Sequence, residues 1–371
     1  MMKIEQSHWK HYFGGLAILL ILLQVLTGIF LALFYQPSLQ EAYASLKYLY
    51  TDLTSIAWFR DVHRWTALFF FVAIVIHAVR SFMRLEFLNQ SKRMLWLTGV
   101  LLLLPMLFFL VTGLILPWDW KAYWFMEMVP NYVATIPIIG PTMKGFLLEA
   151  FTLPRNFIAH IFILPLIFII LIDLHCFGKL RKKGFFRYIG KHALITAPFL
   201  AGVFVAAFYI QMPILDPEII PMPLDGVNIP APEWFFLILL LPFLHFDGVM
   251  APFLGLYLPF ILFLALAFLP YYLKRKDRVI DKADDGKTKG KSFGRMAISF
   301  ISVTLVVSGL LGGLTWGTHQ SPTLGCNSCH NVYLGNRMGV PPAAFQDRDV
   351  IPLLEDNAWM VRHWFNPQVV W

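Results

Sequence analysis

Charge is scarce in this chain: Asp, Glu, Lys and Arg make up 14% of its 371 residues, against roughly 25% in a soluble globular domain. That shortage excludes a solvated globular fold. Cysteine is scarcer still, with three residues, so a disulfide framework is excluded and no second Cys pair exists to complete a zinc site. The basic excess, a formal net charge of +8, lacks continuity. Its Lys and Arg residues lie in separate short loops, which excludes the single basic patch of a nucleic-acid-binding protein. A cleavable leader is not expected either, because the first apolar run is too long and has no small-residue cleavage site.

Apolar length is what the chain has in abundance. Hydrophobic residues reach 58%, and seven runs are long enough for a bilayer core of about 30 Å. They fall at about 12–35, 63–83, 95–116, 157–177, 192–211, 251–273 and 295–316, predicting an all-α polytopic membrane fold embedded in a lipid bilayer. If the spans alternate, Lys3 and Lys10, Arg80 to Arg93, Lys179 to Lys191, and Lys274 to Arg295 all fall on one side. The positive-inside rule makes that side the cytoplasm of a bacterial inner membrane, with a cytoplasmic N-terminus and an extracytoplasmic tail. The charged run Asp277 to Lys291 reads as a flexible cytoplasmic linker.

Four histidines interrupt these apolar stretches in two pairs of nearly equal spacing, His63/His77 and His160/His175. Fourteen residues return within about 40° of one helix face after a rise of roughly 21 Å, and fifteen within about 60°. Each segment therefore presents one imidazole near each membrane surface. Any one of them alone reads more simply as a histidine bonded to a backbone carbonyl. Four in register read as iron ligands for two stacked b-type haems, since ionisable residues within spans are costly and functional by default. Gly14 and Gly28, and Gly99 and Gly113, repeat the fourteen-residue interval. Positions without a side chain let a porphyrin plane approach a helix, although ordinary helix packing uses glycine in the same way.

The tail carries Cys326-Asn327-Ser328-Cys329-His330. In this pattern two thiols can form thioethers with a c-type haem while the histidine becomes an axial ligand, the plain alternatives being a structural disulfide or half of a zinc site. Alternation of seven spans puts it outside the cytoplasm, where such attachment takes place. Its sixth ligand stays open among Met338, Met360, His363 and His319, with Met338 the nearest along the chain and His363 the alternative.

Several strings occur in order: Gly14-Gly15, Gln24-Val25-Leu26-Thr27-Gly28, Arg60-Asp61-Val62-His63-Arg64-Trp65, Val111-Thr112-Gly113, Leu116-Pro117-Trp118-Asp119, Ile136-Pro137-Ile138-Ile139-Gly140 and Pro232-Glu233-Trp234-Phe235. From about residue 8 to 316 the chain resembles the cytochrome b subunit of Rieske/cytochrome b complexes. The fifteen-residue second His interval resembles the plastoquinol-oxidising branch. The resemblance implies a four-helix di-haem domain over 1–190 and a three-helix quinol-site domain over 191–316, followed by the cytochrome c tail over 317–371. It also implies ligand pairing, His63 with His160 near the outer face and His77 with His175 near the inner face, through second and fourth helices taken as antiparallel. Alternation of the spans gives the same pairing, since it sends both of those helices inward and places the earlier histidine of each pair outside. Arg64 and Arg80 adjoin these positions and suit haem propionates, while Arg80 reads equally as a topology-setting cation.

Glu233, with Pro232 and Trp234, is the candidate for proton chemistry. It precedes an apolar stretch on the predicted outer loop, where partial burial raises a carboxylate's proton affinity. The plain alternative is a helix N-terminal acid after a proline. By the resemblance, quinol oxidised beside Glu233 and the Pro117-Trp118 loop passes one electron to a Rieske iron-sulfur partner. The other crosses the two b haems to quinone at the inner face, building a proton gradient. The chain has no Rieske Cys-His pattern, so a partner supplies that cluster. A further cytochrome c subunit or carrier and a homodimer are implied as well.

Three departures stand out: Phe235 replaces a tyrosine usual in the motif, no arginine-containing string follows over Leu240 to Gly248, and Tyr12 stands where the plastoquinol-oxidising branch has a haem-bearing cysteine. An extra covalent haem is therefore not expected. Two other classes compete with quinol:cytochrome c oxidoreduction. One is a haem-containing quinone-linked anchor of another respiratory enzyme, working without bifurcation. The other is a transporter relaying protons through intramembrane histidines, which would be colourless.

Overall fold

The structure, a computed structural model, describes residues 12–119, 136–147, 152–211 and 250–273, with isolated positions at 122, 133, 134 and 242. Eight helices organise these residues, and six of them are long and apolar enough to cross a membrane. The six are α1 (Tyr12–Ala32), α3 (Thr54–Met83), α4 (Arg93–Ile115), α6 (Leu153–Lys182), α7 (Phe185–Tyr209) and α8 (Phe253–Tyr272). Two shorter helices, α2 (Ala42–Thr51) and α5 (Gly140–Gly145), complete the set. This is the all-α architecture of an integral membrane protein. The seventh expected span, at about 295–316, lies outside the described residues.

Hydropathy alone drew the helices too short. α3 begins at Thr54 rather than 63, and α7 at Phe185 rather than 192, because Arg60 and Asp61 in one and Arg187 and Lys191 in the other interrupt the apolar run. α2 escaped notice for a related reason: ten residues with Lys47 and Thr51 make an amphipathic surface helix, not a span.

Two compact units emerge, the first comprising residues 1–123, 151–220 and 266–273, and the second the remainder. In the first, α1, α3, α4 and α6 each contribute two residues to one buried cluster: Leu16 and Leu20, Phe70 and Ala73, Leu102 and Met106, Phe168 and Ile172. Phe70 and Ala73 lie midway between His63 and His77, so this apolar layer separates two histidine levels. α7 joins through Trp58 and Trp65, whose indole N–H groups donate to the carbonyls of Phe204 and Ile210, each at 3.1 Å. In the second unit, a Cβ on Gly140 would stand 2.6 Å from the Ala134 carbonyl oxygen, so the turn through Ile136–Ile139 into α5 needs glycine there.

α1 runs against α3, because Gly14 faces His77 and Gly28 faces His63. α4 likewise runs against α6, with Gly99 at His175 and Gly113 at His160. The rings of His77 and His175 lie 6.4 Å apart and those of Phe70 and Phe168, seven residues earlier on each helix, 6.2 Å apart, so α3 and α6 are parallel. The antiparallel arrangement taken from the family resemblance is thereby corrected: the second and fourth helices of an alternating chain point the same way.

Candidate haem-ligand site

Each of the four glycines in register makes room for one imidazole. A Cβ would stand 3.3 Å from His77 Cε1 at Gly14 and 3.3 Å from His63 Cε1 at Gly28; at Gly99 it would stand 2.9 Å from His175 Cε1, and at Gly113 3.0 Å from His160 Cε1. The structure thus adds a histidine to the role expected of these positions: the ring lies in the notch that glycine leaves on the facing helix.

The residue before three of these glycines is a threonine, and the threonines set the protonation of the rings. Thr27 Oγ1 lies 2.8 Å from His63 Nδ1 and donates its own proton to the Leu23 carbonyl at 2.6 Å. Thr112 Oγ1 lies 2.8 Å from His160 Nδ1 and donates to the Phe108 carbonyl at 2.7 Å. With the hydroxyl proton engaged, Nδ1–H must be the donor in each pair. His175 Nδ1 lies 2.9 Å from the Leu95 carbonyl, an acceptor only, and 3.3 Å from Thr98 Oγ1. In all three rings the proton is therefore on Nδ1, and the lone pair on Nε2 is left for a ligand. Fixing the tautomer through the nitrogen that does not bind metal is how ligating histidines are oriented.

Two further side chains hold this frame. Gln24 Nε2 donates to the His63 carbonyl at 2.6 Å and to Thr66 Oγ1 at 2.5 Å. Buried Asn156, four residues before His160, donates from Nδ2 to the Thr112 carbonyl at 3.0 Å. The threonines and Asn156 were missed as site residues from sequence. The available signal was the repeated Thr-Gly dipeptide at 27–28, 98–99 and 112–113.

α6 is not a regular α-helix. π-helical turns occupy Ala159–Ile163 and Asp173–Phe177, so His160 and His175 both lie in widened turns. One such turn absorbs one extra residue, which reduces the fifteen-residue interval to the effective fourteen of His63 and His77.

Haem fits this frame. Nitrogen ligands about 2 Å either side of a metal put ring centroids about 6 Å apart, close to the 6.4 Å between His77 and His175. Among the described residues, no group of three or more His, Cys, Asp or Glu side chains could hold a bare ion. Each pair would offer two nitrogen ligands to a haem iron, which would supply one-electron chemistry there. Arg64 and Arg80, one and three residues beyond His63 and His77, are half-buried. Pro117 and Trp118 are buried in the turn after α4. Glu233, Pro232, Trp234, Cys326, Cys329, His330, Met338 and His363 lie outside the described residues.

Comparison with known proteins converges on the same frame. A family model described as Cytochrome b/b6/petB matches residues 3–184. Cytochrome b6 of Tupiella akineta is 34% identical over 176 residues, covering 46% of this chain and 81% of that one. Cytochrome b6 of Prochlorococcus marinus (strain NATL1A) is 34% identical over 177 residues, covering 46% and 80%. A solved chain titled Hyperthermophilic respiratory Complex III shares the fold with a TM-score of 0.58 at 22% identity, covering 83% of this chain and 84% of its own.

Proposed function

Because the chain belongs to the cytochrome b/b6 family, a family of b-type haem proteins, we propose that it is the cytochrome b subunit of a membrane quinol-oxidising complex. One haem is held by His63 and His160, the second by His77 and His175. The single observation that carries the reading is the oxygen set against Nδ1 of His63, His160 and His175, from Thr27, Thr112 and the Leu95 carbonyl, which leaves Nε2 of each available to a ligand. Bound haem supplies one-electron centres; the chain's own residues hold it, orient its ligands and separate the two sites with the Phe70–Phe168 layer.

The finer reading extends along the chain, from the di-haem part over 1–190 to the quinol-site part over 191–316 and the tail over 317–371. Glu233 takes a proton from quinol at the outer face. One electron leaves through a Rieske iron-sulfur partner, and the other crosses the bundle to quinone at the inner face. Arg64 and Arg80 neutralise propionates. Cys326, Cys329 and His330 hold a covalent haem that exchanges electrons with the Rieske protein or another cytochrome. The complex lies in a bacterial inner membrane as a dimer, with the tail outside.

A pyridine haemochrome spectrum of the purified chain tests this, comparing haem extracted by acid acetone with haem retained covalently. Two extractable haems per covalent haem are expected, and one or none would overturn the ligand assignment. A gently solubilised complex without a Rieske protein would turn the reading to a quinone-linked anchor.

A further inference from the structure

Asn156 and His160, one helical turn apart on α6, both end on a single residue of α4. Thr112 Oγ1 lies 2.8 Å from His160 Nδ1, and the Thr112 carbonyl accepts from Asn156 Nδ2 at 3.0 Å. In the widened turn of Ala159–Ile163 the Leu164 N–H reaches back five residues to the Ala159 carbonyl. The surplus residue of α6 is thus absorbed beyond His160. Pro165 comes next, and a proline has no N–H to give while its ring meets the carbonyl four residues back. α8 repeats the arrangement: a widened turn over Phe253–Tyr257, the Leu258 N–H bonded to the Phe253 carbonyl, then Pro259. The proline accounts for a surplus residue ahead of it, but it does not select which one. Absorbed before His160, the surplus would carry Ile161 into the place facing Gly113, because each residue of an α-helix turns by about 100°. His175, beyond the turn in either case, would keep its place.

We propose that Asn156 is a positioning residue for the His63/His160 site: by bonding the residue that holds the His160 ring, it fixes the interval from 156 to 160 at one regular turn and forces the surplus residue to be absorbed beyond His160. This rests on the haem reading above. Thr112 alone grips the ring at one point. With Asn156, which is 1% exposed, the grip has two points a turn apart, and a slid register cannot keep both bonds.

The test combines electron paramagnetic resonance with haem content in membranes carrying the full chain, the His63/His160 haem being identified by the signal that His160→Leu removes. Asn156→Leu, close in size and unable to donate, is expected to weaken retention of that haem by about 10-fold. Part of its low-spin signal should become high-spin, as follows when one axial nitrogen is lost, with the His77/His175 signal unchanged. Deleting Phe162, whose side chain is exposed, takes away the surplus residue. Asn156→Leu combined with that deletion is therefore expected to regain the low-spin signal, whereas a merely structural loss would persist. A native signal in Asn156→Leu, equal weakening of both haems, loss of either haem from the deletion alone, or no recovery in the combined variant would each overturn the proposal. A native chain without two extractable haems would instead overturn the haem reading.

Discussion

The hydroxyl of Thr112 stands 2.8 Å from Nδ1 of His160 while donating its own proton to the carbonyl of Phe108. That one geometry makes the threonine an acceptor and the imidazole a donor. Thr112→Val keeps the shape, removes the acceptor and strands a buried N–H, a loss of about 1–3 kcal/mol. Haem retention at this site should fall by about 10- to 100-fold, as for other groups that orient a metal ligand from behind. Thr112→Ser should retain it. Haem content after serial dilution in detergent measures the difference.

The glycine notches predict a graded series. At Gly15 a Cβ would lie 2.2 Å from His192 Nδ1, and that ring is wholly buried, with Tyr188 4.4 Å from it between centroids. Gly15→Ala should cost about 1–3 kcal/mol in thermal unfolding, as overpacking does. Gly99→Ala and Gly113→Ala, at 2.9 and 3.0 Å from their ligands, should release haem more readily than Gly14→Ala and Gly28→Ala, both at 3.3 Å.

The widened turn at Ala159–Ile163 predicts an asymmetry between losing and gaining a residue. Deleting Phe162, whose side chain is exposed, lets the turn relax to α-helix and keeps His175 on its face, so both haems should remain. Inserting one alanine after Phe162 rotates His175 by about 100°, and the haem it shares with His77 should be lost. Visible spectra of the two variants decide.

Burial chiefly, opposed by the charge of Arg60 and assisted by Asp61, pushes the Tyr50 phenol from its ordinary 10.0 up to about 12. Folding thus favours the neutral phenol. Its contribution to stability is complete below pH 10 and is lost as the pH rises through about 12. Alkaline titration of phenolate absorbance should show one fewer late-ionising tyrosine in Tyr50→Phe, with less loss of stability across that interval.

The Cys-x-x-Cys-His tail gives a modular test. On the proposed reading of that motif, Cys326→Ala or Cys329→Ala should abolish covalent haem and weaken the segment it anchors. Both extractable haems should remain. Their loss together would show that the tail and the bundle are not independent.

The histidine and glycine registers were legible in the sequence because a fixed helical period turns spacing into a face. The threonines were on the page too, each next to its glycine, but a hydroxyl bonded within its own helix looks like ordinary intrahelical bonding until the facing ring is placed. The π-helical turns left only the odd interval of fifteen against fourteen. α2 and the early starts of α3 and α7 were invisible to a search for apolar runs, since charged residues interrupt them: Lys47 in α2, Arg60 and Asp61 in α3, Arg187 and Lys191 in α7. His192 gave no warning at all: a single histidine with no partner at helical spacing carries no register.

Gly15 and His192 also say something about how the molecule is made. The notch at Gly15 on the first helix is filled by a side chain that α7 supplies, 192 − 15 = 177 residues further along the chain. The neighbouring Gly14 meets His77 far earlier. Closure of α7 on the first helix therefore needs a residue that follows His63, His77, His160 and His175 in the chain.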